Sequence, residues 1–208
     1  MANPVASFGL RPWNHGNGGT PGRLNEYSLS TAYATSLFQG DLVKSSGTGV
    51  TGDGVGNIVI AAAGNQVLGV FWGVKYTATD GSFVFKKNWV ASTAEKTGTV
   101  ITALVFDDPN MLFVGQCVGT TVATDIGAWC DIDTSVAGST TTGVSGQQLT
   151  TGQSTETTFK IRRLISARDG MPCRNAAGNP DFFSVGLNGL QIVQIIKHEN
   201  NGIATTEV

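Results

Sequence analysis

The sequence predicts an all-β protein, a β-sandwich or β-barrel body with an extended N-terminal arm, and three observations lead there. Short runs rich in Val, Ile, Phe, Tyr and Trp recur between turn residues from position 55 onward, at the spacing of a sandwich or barrel. Gly, Thr and Ser supply nearly a third of the 208 residues while 40% of the chain is hydrophobic, so the glycines mark tight turns in a packed body. The first 23 residues, with three prolines and five glycines, read unlike the rest.

The arm comes first. In "MANPVASFGLRPWNHGNGGTPGR" (1–23), Pro4 and Pro12 remove backbone donors and bias their neighbours to extended conformations, which excludes a helix or a paired central strand. A free tail gains nothing from Phe8, Leu10 and Trp13, each of which contributes roughly 1.5–3 kcal/mol when buried. The expectation is an arm that docks on another chain through Phe8, Leu10, Arg11, Pro12 and Trp13, with an arm folded onto its own domain as the alternative. Residues 24–208 are expected to form a single β-rich domain.

Within that domain the runs "VGNIVIAAA" (55–63), "QVLGVFWGVKY" (66–76), "GSFVFKKNWV" (81–90), "TVITALVF" (99–106) and "MLFVGQCVG" (111–119) each predict a strand. Asp80-Gly81 is a hairpin signal. "DDPN" (107–110) is a turn, because Asp108 bonds the backbone ahead, Pro109 presets φ and Asn110 tolerates the next position. "STTTGVSGQQLTTGQSTETT" (139–158) is expected to be a long surface loop or edge. "FKIRRLISARDG" (159–170) predicts a strand with Arg162, Arg163 and Arg168 outward, with a short helix as the alternative, and "MPCRNAAGNPD" (171–181) a loop. "GLQIVQIIKHE" (189–199) predicts a late core strand.

Composition narrows the function classes. A net charge of -2 and a pI near 5.6 leave no basic footprint for nucleic acid. Only 13% of residues are charged, about half the usual share, so repulsion between neighbouring copies is weak and packing into an array or permanent complex is favoured. Cys117, Cys130 and Cys173 lack metal-ligand spacing and are expected to be buried or idle thiols. The N-terminus lacks the pattern of a secretion signal, and no apolar run approaches about 18 residues. A soluble protein made in a cytosol, with no membrane partner, is the expectation.

Chemistry-bearing motifs are few. "GTGVTG" (47–52) spells a dinucleotide fingerprint, but glycines and β-branched residues follow where a helix must start. One glycine-aspartate copy around Asp53 leaves Ca²⁺ short of its ligands. His15 sits in a glycine-rich arm, and His198 reads as solvated or capped. Asp131 and Asp133 in "DIDTS" read as solvated acids. Lys86 and Lys87 beside Phe85 and Trp89 imitate a single-strand nucleic-acid platform, yet two lysines make a weak funnel. Asp107 and Asp108 read as turn residues and not as a catalytic pair. No enzyme, no cofactor and no metal is expected.

Three stretches carry a likeness to a known family. "MANPVASFGLRP", "LGVFWGVKYTATDGSFVFKKNWVASTA…ITALVFDDPNMLF" and "LQIVQIIKHEN" resemble tailed-bacteriophage virion structural proteins, specifically capsid decoration or cement proteins. The resemblance implies a protein made in the host bacterial cytoplasm that ends on the capsid surface of the virion. There it bridges subunits of the major capsid protein, as a closed symmetric oligomer, trimer first and dimer second. Another virion component (neck, tail or fibre) or a displayed carbohydrate-binding module, with Tyr76, Trp89 and Trp129 as its aromatics, is the alternative. The resemblance carries over no individual functional residue.

Overall fold

The computed structural model describes residues 6–16, 18–19, 22, 24–50, 54–166, 169 and 185–201. The expected loop 171–181, with Cys173, and Arg168 lie outside the described residues, as does Asp53. The architecture is almost wholly β. In chain order the strands are β1 (Arg11–His15), β2 (Asn25–Leu29), β3 (Leu42–Val50), β4 (Gly56–Ile60), β5 (Gly69–Thr77), β6 (Phe83–Lys86), β7 (Ile101–Phe106) and β8 (Met111–Gln116). There follow β9 (Thr120–Thr121), β10 (Trp129–Cys130), β11 (Ile132–Asp133), β12 (Gln148–Leu149), β13 (Phe159–Leu164), β14 (Gly186–Leu187) and β15 (Leu190–Ile195).

Five of these strands close a barrel. The order β3-β4-β2-β7-β5 returns to its start because β3 also pairs with β5, through Leu42↔Val70 and Val43↔Gly69. Every pair is antiparallel except β2 with β4. Alternation sorts the side chains: Ile101, Ala103 and Val105 of β7 are buried inward while Thr102 and Leu104 are half-buried outside. The interior is filled by Leu29, Val43, Ile58, Phe71, Val74 and those three, with Leu37 and Trp89 packed among them. Trp89 meets Tyr76 edge-on at 5.5 Å, and its indole N–H donates to the Tyr33 carbonyl at 2.9 Å. β6 hangs on β5, outside the ring.

A second, antiparallel sheet runs β1-β8-β15-β13-β10. Phe113, Phe159, Ile161, Val193 and Ile195 line one of its faces and form one cluster with Leu42, Val67, Val70 and Phe106 from the barrel. Barrel and sheet therefore share a core. The chain crosses between them at "DDPN". Asn110 N–H donates to Asp108 Oδ1 at 2.8 Å and Met111 N–H to the Asp108 carbonyl at 3.1 Å, the bonds the turn reading requires. Gly69 permits the close approach here, since a Cβ on it would lie 2.1 Å from the Phe106 carbonyl oxygen.

Two expectations need correcting. Leu10 is not free to dock on another chain: it is 2% exposed inside the shared core, and its N–H donates to the Gly40 carbonyl at 2.9 Å. Arg11–His15 pairs antiparallel with β8 as an edge strand. Pro12 is tolerated because an edge leaves one side of the backbone unpaired, and the register shifts between Pro12 and Asn14. The second correction concerns 139–158. Its first part is exposed, but Ser145, Gln147, Gln148 and Leu149 are buried. Gln147 accepts from the Leu42 N–H at 2.9 Å, Ser145 donates to Asp41 at 2.5 Å, and Leu149 packs at Gly115. Polar side chains here serve backbone and carboxylate groups inside the fold, so their polarity does not report exposure.

Candidate interaction surface

The β5–β6 hairpin is built by its turn. Asp80 accepts from the Ser82 N–H at 2.8 Å and hydroxyl at 2.7 Å, and Gly81 adopts φ 88°, a conformation glycine enters without strain. These bonds hold the Asp80 carboxyl below its usual pKa. The register Thr77↔Phe83, Tyr76↔Val84, Lys75↔Phe85 and Val74↔Lys86 follows. Val84 turns inward against the barrel cluster, and period-2 alternation sends Phe83 and Phe85 outward, 71% and 61% exposed. Phe85 covers Gly73, where a Cβ would stand 3.6 Å from its ring. Lys75 is held by Glu26 at 2.5 Å. Trp89 is buried, so Phe85 and Trp89 share no face and the single-strand platform does not form.

A second apolar group lies around a separate two-stranded sheet. β9 and β14 form a two-stranded ladder, Thr120↔Leu187 and Thr121↔Gly186. Leu187 (44% exposed), Val118, Val122 and Ile126 all stand open around it. The 3-10 turn Ala123–Asp125 fixes this rim, with Asp125 accepting from the Val122 N–H at 2.9 Å.

No protein-family model, curated protein or solved structure matches this chain.

Of the residues expected to bind a partner, Leu10 is buried, and Phe8, Pro12 and Trp13 are partly covered by their own sheet. Phe8 and Trp13 pack on Val114, Ile165 and Ile192. The Arg11 guanidinium sits 5.3 Å from the Phe8 ring, and Arg163, bridged to Asp169 at 2.8 Å, lies 6.0 Å from Trp13. Arg11 is exposed and Pro12 half-buried. The structure thus gathers Phe8, Arg11 and Trp13 along one side of the sheet and withdraws Leu10.

The acids and histidines have structural partners. Asp107 accepts from Asn25 at 2.7 and 2.9 Å and from the Tyr27 hydroxyl at 2.5 Å. Burial and this carboxylate raise the Tyr27 phenol above its usual pKa. Asp108 meets His15 at 3.0 Å. The two adjacent carboxylates thus belong to separate contacts. Asp131, expected to be solvated, is 8% exposed and accepts from the Gly64 and Ile132 N–H groups, each at 2.8 Å. His198 is capped, its Nδ1 accepting from the Asn200 N–H at 3.0 Å, but it is also buried, at 1% exposure, because residue 198 bridges to Val67. Cys117 and Cys130 are free and buried; burial pushes the Cys117 thiol up to about 12 and Cys130 well above its usual value. Residues 47–50 of "GTGVTG" belong to strand β3. Among the described residues, no group of three or more His, Cys, Asp or Glu is placed to hold a metal ion, and no helix is long and apolar enough to cross a membrane.

Sequence reasoning weighed Phe85 only beside Trp89 and passed over its pairing with Phe83. The signal was there: two aromatics two apart, flanked by a turn and by lysines, belong on one face of a strand. The β9–β14 rim had no comparable signal, because its residues come from separated stretches.

Proposed function

We propose that the protein is a capsid decoration, or cement, protein that binds the outer surface of a phage head and stabilises the shell by bridging neighbouring major capsid protein subunits. The observation that carries this reading is the placement of exposed large apolar side chains on two different sheets: Phe83 and Phe85 on β6, and Val118, Val122, Ile126 and Leu187 around β9 and β14. A cross-linker needs at least two adhesive places on one stiff body; Val84 seats β6 on the barrel cluster, and Val185, next to β14, packs on the core that barrel and second sheet share. The low charge of the chain favours close packing with neighbours. Modest affinity at each place suffices, since the first contact makes the second intramolecular. The resemblance of the three sequence stretches to cement proteins names the lattice.

Heads assembled without the protein supply the test. Added wild-type chain is expected to occupy them at hundreds of copies and to raise the temperature at which they release DNA. A folded Val122→Asp/Ile126→Asp variant is expected to lose occupancy. Absence of the wild-type chain from purified particles, or binding at only six or twelve copies, overturns the shell reading.

A further inference from the structure

β6 closes one end of its sheet: it pairs with β5, and no described strand pairs with its other edge. The Ala78 N–H donates to the Ser82 carbonyl at 2.9 Å, so the Ser82 carbonyl faces β5. Backbone direction alternates along an antiparallel strand, so Val84 and Lys86 also face β5, while the N–H and C=O of Phe83 and Phe85 point away. An open edge bearing two exposed aromatics is a template for another strand. Natural edges are normally blunted by bulges, proline or inward charges; this one carries charge only at its ends, Asp80 at one and Lys86 with Lys87 at the other.

That polarity selects the partner. We infer that β6 pairs antiparallel with β6 of a second copy of this chain, about a two-fold axis at Val84. Antiparallel self-pairing brings the acidic end of each strand to the basic end of the other. With the axis at Val84, Phe83 faces the second copy's Phe85 with backbone groups that both point outward, as a hydrogen-bonded pair requires. Lys86 then stands opposite the second copy's Ser82 and diagonal to its Asp80, within reach of a long side chain. An axis at Phe85 also satisfies the backbone, but it places Lys86 and Lys87 of both copies toward the centre, where they repel. The side chains of Phe83 and Phe85 from the two copies meet on one face, the geometry in which aromatic pairs add to apolar burial. The contact is isologous and closes on itself. It goes beyond the shell reading, because it is a property of the chain alone. On that reading it leaves two β9–β14 rims, one per copy, for the lattice.

Sedimentation of the full chain tests the pairing, with circular dichroism as the check of fold. The wild type is expected to be a dimer at micromolar concentration. Asp80→Lys and Lys86→Asp, each placing like charges across the axis, are expected to weaken the dimer at least tenfold. Mixing the two variants is expected to restore a heterodimer, because both cross-axis pairs are then opposite in sign. A folded wild type that stays monomeric overturns the inference. So does an oligomer indifferent to both substitutions, or variants that fail to recombine. Head occupancy is measured separately, so loss of the dimer and loss of shell binding are distinguishable.

Discussion

At the scale of single residues, two buried ionisable groups pull stability in opposite directions with pH. Burial raises the Asp41 carboxyl from 3.8 to about 6, against the bonds from Ser145 and Phe38. The folded state therefore holds this proton more tightly than the unfolded chain, so the contribution of Asp41 to stability is full below the unfolded value and is lost as pH rises through about 6. The loss is roughly 3 kcal/mol, at about 1.4 kcal/mol per unit. Asp41→Asn can accept from Phe38 and donate to Ser145, so it is expected to be more stable than wild type at neutral pH by up to that amount. The advantage should vanish near pH 4, as urea denaturation at both pH values will check. His198 has the opposite sign. Burial lowers its pKa despite Asp107, Glu199 and Asp108, so the neutral ring is the folded form and stability falls as pH drops below 6.5. With Asp41 replaced, acidification should destabilise the protein more steeply than it does the wild type. Asp107 is a further residue-scale case. Asp107→Asn weakens the Asn25 and Tyr27 bonds and is expected to cost about 1.5–3 kcal/mol in the same assay, the range for bonds to a charged acceptor.

At the scale of elements, β1 protects as well as pairs. It covers the edge of β8 through Arg11↔Val114, Pro12↔Phe113 and His15↔Met111, and it delivers Leu10 to the shared core. Removing residues 1–16 is therefore expected to uncover an apolar edge strand and to produce a destabilised, aggregating protein, seen as raised light scattering and dye binding. Leu10→Ala alone should cost about 2–5 kcal/mol. The strands were legible because each is a β-branched and aromatic run bounded by turn residues, and "DDPN" because Asp, Pro and Asn have position-specific turn roles. The fate of Leu10 was not legible: proline spacing argues against a central strand but says nothing about an edge. Ser145, Gln147 and Asp131 were misplaced for a related reason. A buried polar side chain that serves a backbone N–H reads, in one dimension, like a solvated one. Phe83 and Phe85 were readable as a pair, but their exposure depends on β6 lying outside the ring, which pattern alone cannot tell.

At the scale of the whole molecule, barrel and second sheet should unfold together. Phe106, Val70 and Leu42 belong to the same cluster as Phe113, Phe159 and Val193, so neither body can lose its packing without exposing the other. A single transition, coincident by calorimetry, circular dichroism and tryptophan fluorescence, is expected; Trp89 reports the barrel and Trp129 the sheet. The path of the backbone adds a further demand. The chain begins in one sheet, builds all five staves of the barrel, and only then returns to the sheet where it started, so Arg11 must wait for Val114. On a ribosome the leading segment thus emerges long before its docking site exists. A nascent chain stalled after Phe106 would hold a complete ring whose outer flank (Leu42, Val67, Val70) is still bare to solvent. Such a fragment should collapse without becoming soluble on its own, and full-length refolding should be slow, because the pairing that ties head to middle spans half the polypeptide.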